Sequence, residues 1–141
     1  MIQNIEFFIN IAKFYSILSK SLEGKLGGIG FTDFIVLYYL NNAPENKLKR
    51  IELAEKVGLT ASGVTRLLLP MEKIGLVSKE SNPNDARVSF VILTPGGKNK
   101  LEEALERIEI YGNEIFSSDS NNEIKDINKF LTEIGGKIMW K

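Results

Sequence analysis

The 141-residue chain contains no cysteine and no histidine. Their absence excludes disulfides, thiol redox sensing, zinc sites of the Cys/His kind and the usual nucleophile–base pairs. Carboxylates, lysines and hydroxyls remain, and none is arranged as a recognisable catalytic pair. The expectation is therefore no enzyme, no cofactor and no metal. Long apolar runs are missing too: none approaches the roughly 18 residues of a membrane-spanning helix. MIQNIEFFINIAKF, 1–14, has no basic stretch ahead of its apolar residues, so it does not read as a signal peptide. These absences predict a cytoplasmic chain with no membrane partner.

Net charge is also missing, with 18 Lys/Arg against 18 Asp/Glu, but the balance is not local. Residues 47–100 carry ten Lys/Arg and five Asp/Glu, whereas residues 101–141 carry five and nine. The middle of the chain is basic, as a phosphate-binding face requires.

What is present reads as one mainly helical domain. Ile2, Ile5, Ile9 and Ala12 form one stripe of an N-terminal helix, and Phe7, Ile11, Phe14 and Leu18 form another. A helix apolar on so much of its circumference needs cover on two sides. GKLGGIG, 24–30, breaks it as a loop. Thr32 is the expected cap of a second helix ending before Ala43-Pro44, and a polar loop leads to RIELAEKVG, 50–58. Thr60 caps the next helix, with Val64, Leu67, Leu68 and Met71 inward. LVSKE (76–80) and RVSFVIL (87–93) read as strands joined by turn-forming SNPNDA. Thr94-Pro95 opens a helix at 95, and a last helix carries Ile124, Ile127, Leu131, Ile134 and Ile138 at the spacing of a packing seam. The expected order is α-α-α-α-β-β-α-α.

Within this order, ELAEKVGLTASGVTRL, 52–67, has the punctuation of a helix-turn-helix. Ala54 is small enough for close helix approach, Gly58 admits a left-handed turn, and Leu59 is expected to plug the corner. Thr60, Ala61, Ser62, Thr65 and Arg66 are left outward at the start of the second helix. A short, hydrogen-bonding face with one cation suits the major groove of DNA. A plain helical hairpin is the simpler reading, and the strand pair that follows argues against it. Pro70 has no N–H for the Arg66 carbonyl. Leucine at 69 would cap a new helix poorly, so a kink within one continuous helix is expected, beyond the part that enters the groove.

LAEKVGLTASGVTRLLLPMEKIGLVSKESNPNDARVSFVILTPGGK, 53–98, resembles the MarR family of bacterial transcription regulators. The resemblance is carried by the T-R at 65–66, the E-K-x-G-L-V helix exit at 72–77 and the D-x-R…L-T wing at 85–94; the flanking helices match by architecture. It implies a winged helix-turn-helix with a small β-hairpin wing, residues 31–100, and N- and C-terminal dimerisation helices, 1–30 and 101–141. It further implies a homodimer on double-stranded DNA at an inverted-repeat operator, and transcriptional control, often repression relieved by a small-molecule effector. Ala86 stands where the family often has a second wing arginine, and the peroxide-sensing cysteine is missing.

The residues expected at DNA follow. Ser62, Thr65 and Arg66 are candidates for base edges, Arg66 for guanine or phosphate, and Thr60 for phosphate. Arg87 on the wing is the candidate for a narrow minor groove, with Asp85 orienting it by a salt bridge. Lys49, Arg50 and Lys79 are generic phosphate contacts. Phe14, Tyr15, Phe31, Phe34, Tyr38, Tyr39 and Tyr111 would line an effector pocket or, as aromatics at helical spacing more often do, form core. The competing function is a winged helix that binds protein instead of DNA.

Overall fold

The computed structural model describes residues 2–139, apart from the side chains of Asn82, Ala86, Arg87 and Val88. Along the chain run α1 (Ile2–Leu22), α2 (Phe31–Asn41), β1 (Lys47–Lys49), α3 (Arg50–Val57), α4 (Ala61–Lys73), β2 (Val77–Asn82), β3 (Asp85–Leu93), α5 (Pro95–Ile115) and α6 (Asn121–Met139). Single 3-10 turns lie at Pro44–Asn46 and Ser118–Ser120. The chain divides into two compact units, residues 1–107 and 108–141.

In the first unit the core is aliphatic, and no charged or polar residue is buried among the described residues. Val36, Leu37 and Leu40 of α2, Leu53 of α3 and Val64, Leu68 and Met71 of α4 meet Leu76, Val77, Val91 and Leu93 from the sheet. Leu22, Leu26 and Ile29 join them from the end of α1 and its following loop, and Leu101 and Ala104 from α5. Each fully buried Leu or Val side chain contributes about 1.5–3 kcal/mol. Leu67, expected inward, is half-buried.

Both helices of the helix-turn-helix end in the same way. Gly58 (φ 77°) and Gly75 (φ 81°) take the left-handed conformation that glycine adopts without steric cost. Leu59 N–H donates to the Ala54 carbonyl at 3.0 Å, and Leu76 N–H to the Met71 carbonyl at 2.9 Å. Each bond satisfies a carbonyl orphaned by the helix end. Helix α4 runs on through Pro70, as the sequence predicts.

Three details differ from the sequence reading. Residues 47–49 pair with 90–92, making a three-stranded antiparallel sheet in the order β1-β3-β2 where a hairpin alone was expected. Only Leu48 of that Lys-Leu-Lys strand is buried, so it has no hydrophobic run to announce it. Helix α2 starts two residues earlier than a cap at Thr32 would allow: Gly30 is its cap, and the Gly30 N–H donates to Asp33 Oδ2 at 3.3 Å. Burial raises the Asp33 carboxyl above its ordinary pKa, and that hydrogen bond opposes the shift. Leu59 does not plug the corner, being 41% exposed, because backbone bonds close the turn. Ile51 is 65% exposed on α3, since the burial there falls on Leu53 and Ala54.

The second unit holds the end of α5 and all of α6. No residue of α6 is buried, and Ile127, Phe130, Ile138 and Met139 are more than half exposed. In the first unit α1 buries only Leu22 among the described residues, leaving Ile2, Ile5, Phe8, Ile9, Phe14 and Ile17 in the open.

Among the glycines the most crowded is Gly97 of α5, where a Cβ would overlap the Leu76 carbonyl oxygen and press on Leu93 Cδ1. Gly97→Ala should destabilise the first unit by about 3 kcal/mol or more. Gly112→Ala, on the same helix with no atom near the new methyl, should stabilise by about 0.5–1 kcal/mol. Chemical denaturation of the two variants checks both signs.

Candidate nucleic-acid interface

The face expected at DNA is assembled by the first two turns of α4. Thr60 sits in extended conformation (φ −76°, ψ 163°) and its Oγ1 accepts from Gly63 N–H at 3.0 Å, closing the helix start as predicted. Ser62 Oγ lies 3.2 Å from Thr60 Oγ1. Thr65 Oγ1 donates to the Ala61 carbonyl at 3.0 Å, and Thr65 is half-buried, whereas Thr60, Ser62 and Arg66 are exposed. Ser62 and Arg66 are four residues apart and so share a face of the helix. No acidic residue occupies the first turn. An exposed helix start with free backbone N–H groups and a positive dipole end attracts phosphate.

The cations around this face differ in how far their charge is matched. Arg66 has no ion pair among the described residues. Lys79 Nζ, on β2, lies 3.5 Å from Glu72 Oε2 of α4, so part of the charge expected at phosphate is already answered. Lys49 is exposed at the start of α3, where its N–H donates to Glu52 Oε1 at 3.0 Å, and Arg50 beside it is half-buried. Lys47, not singled out from the sequence, lies 3.4 Å from Glu45 and 3.3 Å from Glu80, with its Nζ 5.0 Å over the Phe90 ring. The Glu80 hydrogen bond is the main cause that raises its pKa. Lys47 thus ties β1 to the sheet. Asp85 opens β3 beyond the turn at Pro83-Asn84. The side chain of Arg87, the minor-groove candidate, lies outside the described residues.

Sequence reasoning overlooked Gly63. A Cβ there would come within 3.2 Å of Thr60 Oγ1 and 3.6 Å of Leu59 Cβ. Its one sequence signal is a glycine inside an otherwise good helix start, three residues past a capping threonine. Among the aromatics, Phe34 is core, and Phe31 and Tyr38 flank its ring at 6.3 Å each.

A helical pair closed by a left-handed glycine, an exposed second helix and an antiparallel hairpin directly after it define a winged helix-turn-helix protein. The family description MarR matches residues 31–89, the span from α2 into β3. Over that span, about two fifths of the chain, the sequence is similar to the MarR family. It is similar to the uncharacterised HTH-type transcriptional regulator YdgJ of Bacillus subtilis, with 30% identity over 96 residues, 68% of this chain and 57% of that one. It is also similar to the HTH-type transcriptional repressor YetL of the same organism, with 28% identity over 104 residues, 72% of this chain and 62% of that one. The chain therefore spans about three fifths of the length of these curated relatives. Sco3205, a MarR family regulator from Streptomyces coelicolor solved in complex with DNA, superposes with a TM-score of 0.77 over 94% of this chain and 88% of that one. At 21% identity it shares the fold.

The cap gives a local stability prediction. Thr60→Ala removes the acceptor of the Gly63 N–H and should cost about 1 kcal/mol, while Thr60→Ser, which keeps the oxygen, should cost only a few tenths. Urea midpoints of the two variants distinguish them.

Proposed function

We propose that this chain is a sequence-specific, double-stranded DNA-binding regulator of transcription that acts as a homodimeric repressor relieved by a small-molecule effector. The observation that carries the reading is the start of α4, where Thr60, Ser62 and Arg66 stand exposed with no carboxylate in the first turn. Thr60 grips phosphate, Ser62, Thr65 and Arg66 meet base edges, and Lys49, Arg50 and Lys79 add phosphate contacts. Arg87 enters the minor groove from the wing, oriented by Asp85. YetL is a repressor and Sco3205 was solved on DNA, which supports the reading by likeness. The effector would meet the aromatic row of α2 at Tyr38, its exposed member.

The homodimer is supported by the bare apolar faces of α1 and α6. Monomeric proteins seldom leave so many large apolar side chains to water, and stable dimers cover such faces. Sedimentation at micromolar concentration should give twice the 15.8 kDa chain mass. A twofold protein asks for an inverted repeat with half-site centres about 10 bp apart, which footprinting reads directly.

A winged helix that binds protein is the competing reading, favoured by the exposed Ile51 on α3 and Leu59 in the turn of the helix-turn-helix. Salt decides between them: a DNA binder loses affinity steeply as salt rises, and a protein-binding module shows little affinity for duplex at any salt.

Arg66→Ala should flatten the salt dependence by about one unit and lose roughly 1–3 kcal/mol of discrimination at one base pair per half-site. Arg87→Ala should flatten it equally but relax only the preference for A·T-rich flanks. Asp85→Ala removes a negative charge from the wing and should nonetheless weaken binding, because Arg87 loses its guide. Titrations of Asp85→Ala, Arg87→Ala and the double variant on one operator should be non-additive; a tighter Asp85→Ala complex would reduce Arg87 to another phosphate contact.

A further inference from the structure

The hydroxyls at the start of α4 have fewer protons to offer than their number suggests. Thr65 Oγ1 spends its only proton on the Ala61 carbonyl, 3.0 Å away and one turn back. What it presents outward is lone-pair density and a methyl group. Thr60 Oγ1 already accepts from Gly63 N–H, and it shares a hydrogen bond with Ser62 Oγ. One of those two hydroxyls must donate to the other, so the pair keeps a single proton for anything outside. A phosphate oxygen only accepts, and a phosphate at this helix start takes that proton. The hydroxyl oxygens left facing the bases then act as acceptors. Arg66, exposed on the same stretch, is a donor only.

We propose that Thr65 is a specificity-determining residue that reads an exocyclic amino group, N6 of adenine or N4 of cytosine, as a hydrogen-bond acceptor. The assignment rests on the DNA-binding reading above. In the major groove adenine and cytosine present amino hydrogens, whereas guanine and thymine present O6 and O4. Those carbonyl oxygens would meet Thr65 lone pair against lone pair, so they are rejected. Arg66 has the opposite preference, for O6 and N7 of guanine. Adjacent residues on α4 thus select opposite hydrogen-bonding signs, and the division follows from where one threonine proton goes.

The test begins with duplexes selected by the full chain from a random pool, which should hold one position per half-site confined to adenine or cytosine. Replacing an adenine there by purine, which lacks the amino group, should weaken wild-type binding about tenfold. Thr65→Val keeps the shape without the oxygen and should bind both duplexes alike. Thr65→Ser keeps the oxygen and should still lose about tenfold. If Thr65→Val discriminates as the wild type does, or Thr65→Ser no longer discriminates, the amino readout is wrong and the methyl or another residue makes the choice. If the wild type selects no duplex at all, the DNA-binding reading falls and carries this one with it. A selected site whose every preference survives Thr65→Val overturns the Thr65 assignment alone.

Discussion

The arrangement of the winged helix depends on one crowded junction, where the exit of α4, the inner ends of the hairpin and the first turn of α5 meet around Gly75 and Leu76. Thr94 binds there twice over: its N–H donates to the Leu76 carbonyl at 3.3 Å, and its hydroxyl donates to the Gly75 carbonyl. The same oxygen accepts from Gly97 N–H at 3.0 Å, capping α5. Gly97 has no side chain to hold this packing apart. With Leu76, Val77 and Leu93 buried around it, the junction fixes the hairpin base against α4. The base of the hairpin is thereby tied to the exit of α4 by one backbone bond and by the Thr94 hydroxyl, which bridges to α5 as well.

This anchoring divides α4 into two halves with different duties. The C-terminal half carries Leu68 and Met71 into the core, and Glu72 reaches Lys79 on the hairpin. The N-terminal half commits only Val64 and leaves its hydroxyls and Arg66 outside. Pro70 lies in the anchored half, exposed beside Leu69, with the buried Leu68 and Met71 on either side of that pair. A proline inside a helix costs about 3 kcal/mol and removes one hydrogen bond, here at the Arg66 carbonyl. It removes no core volume at this position, and the flanking Leu68 and Met71 hold the helix through the gap. The cations follow the same division. Lys47, Lys79, Lys100 and Arg107 each face a carboxylate within 4 Å, which answers part of their charge although such exposed pairs add little stability. Arg66 faces none among the described residues, and an unmatched cation is available to a polyanion.

Much of this was legible in the sequence because the signals were local and steric. Gly58, Thr60 and the Thr94-Pro95 pair announce themselves through backbone conformation, which neighbouring residues determine. Strand β1 was not legible, since Lys47 and Lys49 carry no hydrophobic signal and the pairing with residues 90–92 is formed across 40 residues of chain. Leu59 was misread for a related reason: a leucine after a turn glycine is assumed to be buried, but Ala54 and Gly58 close that corner by hydrogen bonds alone. At the interface the sequence named Thr60, Ser62, Thr65 and Arg66, yet not the direction of their protons. That direction depends on distances of about 3 Å between atoms two to four residues apart on the helix, and residue type does not give it.

The apolar faces of α1 and α6 complete the physical argument for the proposed regulator. One recognition helix of this length touches only a few base pairs, and single contacts discriminate by about 1–3 kcal/mol each. A lone lobe would therefore be a weak reader. Two lobes held in fixed register double the contacts while ordering the pair only once. Covering Ile2, Ile5 and Ile9 on α1 and Ile127, Phe130 and Ile138 on α6 would supply the energy for that register from burial, without drawing on any residue of the DNA-facing surface. The chain thus keeps its two tasks chemically apart. Apolar helix faces on α1 and α6 are available for association, and in the proposed regulator the hydroxyls at the start of α4 and Arg66 are left for sequence.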